Sequence, residues 1–113
     1  MSISEKMTIK HNLLSVPGLR KFDPGTDKNK RWCVYFLLKA NRIVHMGVSR
    51  SLKSRVKNFR SGNIKMRIPH DEVYFLPMSE FKVHTALVRF KIWHKAAQSD
   101  RYLTPGDFNV LDL

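Results

Sequence analysis

Two short apolar runs near the middle of the chain form its clearest pattern. The first covers residues 32–38 and is rich in aromatic side chains, and the second covers residues 43–48. Short continuous apolar runs of this kind are typical of buried strands. The polar residues 39–42 between them suit a hairpin turn. The pattern therefore predicts two paired antiparallel strands.

A helix is predicted directly after the second strand. Ser49 can cap it, and Leu52, Val56 and Phe59 recur on one helical face. The Ser-Gly-Asn sequence at residues 61–63 is typical of a helix end. Arg55 lies about 60° from the centre of the apolar stripe, since successive residues turn by about 100°. It therefore borders the buried face and can lean over the sheet.

A third strand and a long helix are predicted in the second half of the chain. Residues 71–76 form the strand, which Pro77 stops, and the helix covers residues 79–98 with Ser79 as its cap. Glu80 and His84 are four residues apart and therefore share a helical face. The apolar stripe of this helix is predicted to consist of Phe81, His84, Leu87, Val88 and Ile92.

The two ends of the chain carry weaker patterns. Residues 1–30 show no sustained apolar periodicity, only Pro-Gly turns and room for a short helix at residues 11–15, so they are interpreted as an N-terminal extension. Residues 31–113 are interpreted as a single domain. Residues 104–110 predict a turn that leads into a short strand. The expected fold class is α+β, with a small, largely antiparallel three-stranded sheet flanked by helices.

The charge distribution points to a polyanionic partner. Lys and Arg total 21 against 9 acidic residues, which gives a formal net charge of +12. No acidic residue lies between Asp27 and Asp71. Nucleic acid is the commonest partner of a surface this basic, and an anionic membrane surface or a ribosome is the alternative. More than half of the basic residues lie in that stretch: Lys28, Lys30, Arg31, Lys39, Arg42, Arg50, Lys53, Arg55, Lys57, Arg60, Lys65 and Arg67.

Length and composition narrow the class of protein further. The chain of 113 residues has room for one modest core. Cys33 is its one cysteine, which excludes an intramolecular disulfide and a Cys-based zinc site. No stretch approaches the ~18 apolar residues of a membrane span, and the first ten residues contain no apolar run. The expectation is a cytoplasmic protein without a membrane partner.

The residues needed for phosphodiester hydrolysis can all be found along this pattern. Such a reaction needs a group that orients or deprotonates water, positive charge for the phosphoryl oxygens, and usually a divalent metal. Arg55 offers the cationic clamp, and Tyr35 and His45 lie on the two adjacent strands. Gly47 would allow close approach of the backbone or the substrate. Glu80 is the natural carboxylate ligand for a metal.

Taken in order, these segments resemble the GIY-YIG nuclease superfamily, and most closely its phage T5orf172-like branch. The matching stretches are VYFLL, HMGVSRSLKSR and FRSGN, followed by the pair Glu80 and His84. Arg55 follows Gly47 by eight positions, as the family's arginine follows its glycine. The resemblance covers about residues 32–87.

The resemblance implies a GIY-YIG-like fold and a metal-dependent DNA endonuclease encoded by a phage or mobile element. Tyr35 and His45 would position or deprotonate the attacking water, and Arg55 would stabilise the transition state. Glu80 would hold one Mg²⁺ or Mn²⁺. Gly47, Ser49 and His84 are accessory candidates. The cations expected to track the DNA backbone are Arg42, Arg50, Lys53, Lys57, Arg60, Lys65 and Arg67.

Several departures leave alternatives open. His45 replaces the family's Tyr or Lys, although imidazole can also relay a proton near neutral pH. Phe59 stands where many members carry His. A second register of the long helix would place His84, instead of Glu80, at the metal position. The chain is therefore also interpretable as an inactive nucleic-acid-binding module, or as a phage or mobile-element inhibitor of a host or rival protein. Nicking, double-strand cleavage and a homodimer are all open.

Overall fold

The fold is α+β, as the sequence predicts, with one strand more than expected. The computed structural model describes residues 5–25 and 30–113; residues 1–4 and 26–29 of the predicted extension, including Asp27 and Lys28, lie outside the description. The described residues form a four-stranded antiparallel sheet and three α-helices. The helices are α1 (Glu5–Leu14), α2 (Leu52–Ser61) and α3 (Glu80–Ser99), and the strands are β1 (Arg20–Lys21), β2 (Cys33–Lys39), β3 (Arg42–Ser49) and β4 (Glu72–Pro77).

The predicted hairpin supplies the centre and one edge of the sheet. The strand order is β1-β4-β2-β3, so β2 is paired on both sides and β3 is an edge strand. Ala40 and Asn41 take positive φ values of 51° and 65°, as a tight two-residue hairpin turn requires. Pairing shifts between Leu37 and Leu38, which leaves Val44 as an extra, bulged residue on β3.

The sheet separates two buried clusters. Alternate β2 side chains point to opposite faces, which explains why the strand has a continuous apolar sequence. One face is covered by α1 and α3 and the other by α2. On the α3 face β2 contributes Val34, Phe36 and Leu38, and on the α2 face it contributes Cys33, Tyr35 and Leu37.

The predicted N-terminal extension contributes to this architecture where it is described. Ile9 and Leu13 of α1 pack in the cluster on the α3 face, and Phe22 packs on the α2 face. β1 pairs with β4 through two residues, which adds the fourth strand and corrects the predicted three-stranded sheet. The helix is longer than the predicted residues 11–15. The division into an extension and a domain stays a prediction.

The start of α2 differs from the prediction in one detail. Ser51, not Ser49, is the N-cap of the helix. Ser49 ends β3, is buried, and its Oγ accepts a hydrogen bond from the Ser51 backbone N–H at 3.0 Å. It therefore shapes the turn before the helix. The predicted buried face of Leu52, Val56 and Phe59 is confirmed.

The long helix begins as predicted but buries a different face. Ser79 caps α3, because its Oγ accepts a hydrogen bond from the Phe81 backbone N–H at 3.1 Å. Phe81 is 87% exposed and Val88 is 56% exposed, so the predicted apolar stripe is wrong. The buried face consists of Val83, Ala86, Phe90, Trp93 and Ala97.

The C-terminal segment forms a short 3₁₀ helix, Pro105–Phe108, where the sequence predicted a turn and a short strand. Thr104 and Asp107 form a capping box at its start. The segment packs beside α3, and the Trp93 Nε1–H donates a hydrogen bond to the Leu103 carbonyl at 2.9 Å. These contacts close the α3 side of the core.

Candidate functional site

Three aromatic rings meet where β2, β3 and α2 come together. The Tyr35 hydroxyl lies 3.3 Å from Nε2 of His45, within hydrogen-bond distance. The ring of Phe59 is centred 5.9 Å from the Tyr35 ring and 5.2 Å from the His45 ring. Tyr35 faces α2 because the odd-numbered residues of β2 do so. The hairpin register thus brings the two predicted water-activating residues together.

Gly47 makes room for the Tyr35 ring. Tyr35 and Gly47 are direct partners in the β2–β3 register. A Cβ atom added to Gly47 would lie 2.4 Å from the Tyr35 hydroxyl oxygen, far inside van der Waals contact. The predicted role of Gly47 in close approach therefore has a specific neighbour, which is the candidate tyrosine.

Burial keeps both members of the Tyr35–His45 pair neutral at physiological pH. Burial raises the pKa of the Tyr35 phenol above its usual value, and the charge of Arg55 only partly opposes this. Burial also lowers the pKa of His45, and the charges of Lys91 and Arg55 lower it further. A neutral imidazole has one unprotonated ring nitrogen. With Nε2 unprotonated, His45 accepts the Tyr35 hydroxyl proton.

Arg55 places a positive charge at the mouth of this pair. It lies in the first turn of α2, where its backbone N–H donates to the Ser51 carbonyl at 3.1 Å. Its side chain is exposed. Its charge acts on both Tyr35 and His45. An exposed guanidinium whose charge acts on a buried tyrosine and a partly buried histidine is suited to bind a phosphate from solvent.

Glu80 lies on a different part of the molecule. It is the first residue of α3, which packs on the face of the sheet opposite to α2. Its exposed side chain lines an open cleft of about 500 Å³ together with Trp32 and Arg50. Among the described residues, no hydrogen bond or ion pair joins Glu80 to Arg55. Their predicted convergence on one phosphate stays a prediction.

Arg50 is the residue that connects the two locations. It lines the cleft beside Glu80 and lies in the turn that joins β3 to α2, between Ser49 and Ser51. Arg55 follows on the first turn of that helix. A strand of nucleic acid that passes from Arg55 to Glu80 would therefore cross Arg50.

The donor set at Glu80 is compatible with one weakly held divalent cation. In the described part of the chain, no three His, Cys, Asp or Glu side chains gather as a metal site. Mg²⁺ is commonly held by one or two carboxylates together with waters and substrate phosphates. Lys30 and Arg50 line the same cleft and would repel a cation that arrived alone. We expect metal and nucleic acid to bind there together.

The remaining predicted residues surround these positions. His84 is exposed, and its ring is centred 6.1 Å from that of Trp32, on the Glu80 side. Lys65 and Arg67 lie in and beside a short 3₁₀ helix, Ile64–Met66, which follows α2. The predicted DNA-binding side chains, all of them exposed, are Arg42, Arg50, Lys53, Lys57, Arg60, Lys65 and Arg67.

A cationic cleft on the other side of His45 was not predicted. It lies between β3 and α3 and has a volume of about 250 Å³. From α3 it is lined by Lys91, His94, Lys95 and Gln98. Their spacing of three, four and seven residues places them on one helical face. This polar stripe is the sequence signal for the cleft, although the apolar residues of the same helix form the more conspicuous pattern.

Comparisons with models of known protein families, with curated proteins and with solved structures find no match to this chain. Within the described residues, no helix combines the length and the apolarity needed to cross a membrane.

Proposed function

We propose that the protein is a metal-dependent DNA endonuclease that hydrolyses phosphodiester bonds. The observation that carries this proposal is the contact between Tyr35 and His45 beside the exposed guanidinium of Arg55. A neutral proton acceptor for the attacking water and a fixed positive charge for the phosphoryl oxygens are groups that assist hydrolysis of a phosphodiester, and the Tyr35 hydroxyl would relay the proton between water and His45. The ordered resemblance to the GIY-YIG nucleases supports the same reaction.

Proton transfer in this proposal runs from water through Tyr35 to His45. The attacking water donates to the Tyr35 oxygen while the phenol passes its own proton to Nε2 of His45. The depressed pKa of His45 keeps it ready to accept at neutral pH. The Arg55 guanidinium binds the nonbridging oxygens, on which negative charge accumulates as the bond from phosphorus to water forms and the bond from phosphorus to the leaving oxygen breaks. The leaving oxygen takes its proton from solvent.

Glu80 would hold one Mg²⁺ or Mn²⁺ that neutralises charge on the phosphate and its leaving oxygen when bound. The carboxylate makes no ion pair among the described residues and is exposed. Arg50, in the same cleft, would hold the phosphate backbone near it. The basic side chains of α2, Lys53, Lys57 and Arg60, would bind the flanking phosphates.

The test is plasmid cleavage by the purified protein in Mg²⁺ or Mn²⁺. We expect conversion of supercoiled plasmid to nicked or linear forms. Arg55→Ala should reduce the rate by at least about a hundredfold, because a donor to the transition-state charge is worth about 3 kcal/mol. Glu80→Gln should abolish metal-dependent cleavage.

Matched controls are Arg20→Ala, on the distant edge strand β1, and Asp112→Asn, an exposed acid outside both locations. Both should cleave at the normal rate. Cleavage that survives Arg55→Ala and Glu80→Gln in a folded protein would refute the assignment of these residues.

An inactive nucleic-acid-binding module is the second candidate. Two observations favour it: Tyr35 is only 3% exposed, and among the described residues no hydrogen bond or ion pair joins Glu80 to Arg55. This candidate predicts a salt-sensitive gel shift with DNA and no cleavage in Mg²⁺ or Mn²⁺. A gel shift accompanied by cleavage that Arg55→Ala removes would exclude it.

A further inference from the structure

The cleft between β3 and α3 is built from cationic and neutral polar side chains over an apolar floor. Lys91, His94, Lys95 and Gln98 line it from the helix, and His45 lines it from β3. The floor consists of Ile43, Val44 and Met46. None of these lining residues is acidic. The cleft therefore offers donors to an anion, while no lining carboxylate competes for the lysines.

His45 belongs to both this cleft and the candidate active site. On one side it contacts the Tyr35 hydroxyl, and on the other it lines the cleft. Burial lowers the pKa of His45, and the charge of Lys91 lowers it further. Burial also lowers the pKa of His94. An anion bound between the lysines would change the pKa of both imidazoles. The titration of the two histidines can therefore be used to detect binding.

The size and the chemistry of the cleft favour a phosphate group. A volume of about 250 Å³ accommodates one phosphate with part of its sugar. Two ammonium groups can share the charge of a phosphate, and the Gln98 amide and the imidazole N–H groups supply further donors. The apolar floor suits the carbon face of a sugar.

We propose that this cleft is a phosphate subsite that holds a second phosphate of the nucleic-acid substrate, next to the one that Arg55 binds. The identity of the ligand as nucleic acid rests on the proposed function; the binding of phosphate does not. The substrate strand then runs past the edge of the sheet at β3 and reaches α3, beyond the acid-free part of the sequence.

The binding test is a histidine NMR titration of the intact chain, with inorganic phosphate and a 5′-phosphorylated dinucleotide as separate probes. The pKa values of His45 and His94 should both rise on binding, because the added negative charge stabilises the imidazolium forms. The other polar groups that act on His45 are Tyr35 and Arg55, and neither of them lines the cleft. Sodium chloride at equal ionic strength controls for screening.

Variants identify the lysines that bind. Lys91→Ala and Lys95→Ala should each weaken phosphate binding about tenfold, and the double variant should remove the response of both histidines. Lys82→Ala is the matched control, because residue 82 lies nine positions from residue 91 and so about 180° around the same helix. It should bind phosphate normally.

The probes separate the possible sources of the phosphate. Tighter binding of the dinucleotide than of inorganic phosphate supports a nucleic-acid subsite, whereas equal affinity supports a site for free phosphate and refutes the substrate assignment. An equal response to chloride, or no response of either histidine, would overturn the subsite. If the Arg55→Ala variant loses cleavage but its histidines still respond to phosphate, the subsite remains supported. The two proposals can therefore fail separately.

Discussion

At the scale of single residues, the candidate site depends on how closely β3 approaches Tyr35. The Tyr35 ring lies over Gly47, contacts His45 and packs against Phe59. A glycine in a strand interior weakens the strand, so its presence indicates a close neighbour. Here that neighbour is the hydroxyl of the proposed proton relay.

Gly47→Ala should displace the Tyr35 ring. The new methyl group would overlap the phenol, and because the ring is buried the cost should be about 1–3 kcal/mol of unfolding free energy. The proposed cleavage should fall more than stability does, because the contact with His45 is lost. Urea denaturation and plasmid cleavage measure the two effects.

Gly106→Ala is the control for that substitution, since an added Cβ would meet its nearest neighbour, Thr104 Oγ1, at an ordinary 3.6 Å. It should leave cleavage unchanged. A Gly47→Ala protein with normal stability and normal cleavage would contradict the close packing of Tyr35.

The two half-buried histidines should make stability depend on pH. His45 and His94 have pKa values below the ordinary value of about 6.5, chiefly because of burial. Below pH 6.5 the unfolded chain therefore binds more protons than the folded chain, and the free energy of unfolding falls as the pH is lowered. Urea denaturation at pH 7.5 and 5.5 measures the difference.

The double variant His45→Gln, His94→Gln should lose most of this dependence between pH 7.5 and 5.5. Glu72 also has a perturbed pKa, lowered overall by its hydrogen bonds from Lys10 and Tyr74 although burial opposes this. Its effect belongs to a lower pH window, below about 4.5. An undiminished dependence in the double variant would assign the effect to other groups.

At the scale of elements, α3 has apolar side chains on two faces. The face that packs on the sheet contains Phe90 and Trp93, and the exposed face contains Phe81 and Val88. Both sets follow a helical spacing, and the buried set includes small alanines that a search for large apolar residues passes over. The shape of the sheet surface determines which face of α3 is buried. The sequence of the helix alone does not specify that shape.

Substitutions on the two faces of α3 should differ sharply. Phe90→Ala removes a ring that is 0% exposed and should cost about 3–5 kcal/mol. Val88→Ala removes a half-exposed side chain and should change stability by less than about 0.5 kcal/mol. Urea denaturation of both variants is the measurement. A larger cost for Val88→Ala than for Phe90→Ala would reverse the assignment of the buried face.

Local sequence patterns were sufficient where neighbours in sequence are also neighbours in space. The hairpin of β2 and β3 and the buried face of α2 were predicted for this reason, since an apolar run, a two-residue turn and a 3.6-residue period are all local signals. β1 was missed because Arg20 and Lys21 have no strand pattern; only their pairing with β4, some fifty residues away, makes them a strand.

The same distinction between local and long-range contacts applies to the candidate site. Tyr35, His45 and Gly47 lie on one hairpin, and its register brings them together. The positions of Glu80 and of the cleft between β3 and α3 depend on where α3 packs. Long-range contacts determine that packing. The sequence therefore predicts that Tyr35, His45 and Gly47 lie together, but it does not predict how far they lie from Glu80 or Lys91.

At the scale of the whole molecule, the sheet separates two cationic surfaces. The acid-free sequence supplies the surface around α2, and Lys91 and Lys95 supply the cleft on the α3 side. His45 lies at the edge between them. With a net charge of +12, association with a polyanion is favoured from many directions, so close contacts must select the productive orientation.

The affinity of the proposed DNA complex should fall steeply with salt. Each phosphate neutralised on duplex DNA contributes about 0.9 to the slope of log affinity against log salt. Lys57→Ala, on the exposed face of α2, should reduce the slope by about one unit, whereas Lys82→Ala on α3 should leave it unchanged. Fluorescence anisotropy from 50 to 300 mM salt measures the slope. Equal losses in both variants would indicate diffuse attraction without a defined track.

The extra residue at Val44 affects how two copies of the chain can meet. β3 is the long exposed edge of the sheet, and an uninterrupted edge invites strand addition by a neighbouring molecule, the first step toward fibrous aggregates. A bulge leaves one residue unpaired and increases the local twist, so an incoming strand cannot continue its ladder past that point. We expect concentrated solutions of the protein to resist this form of self-assembly.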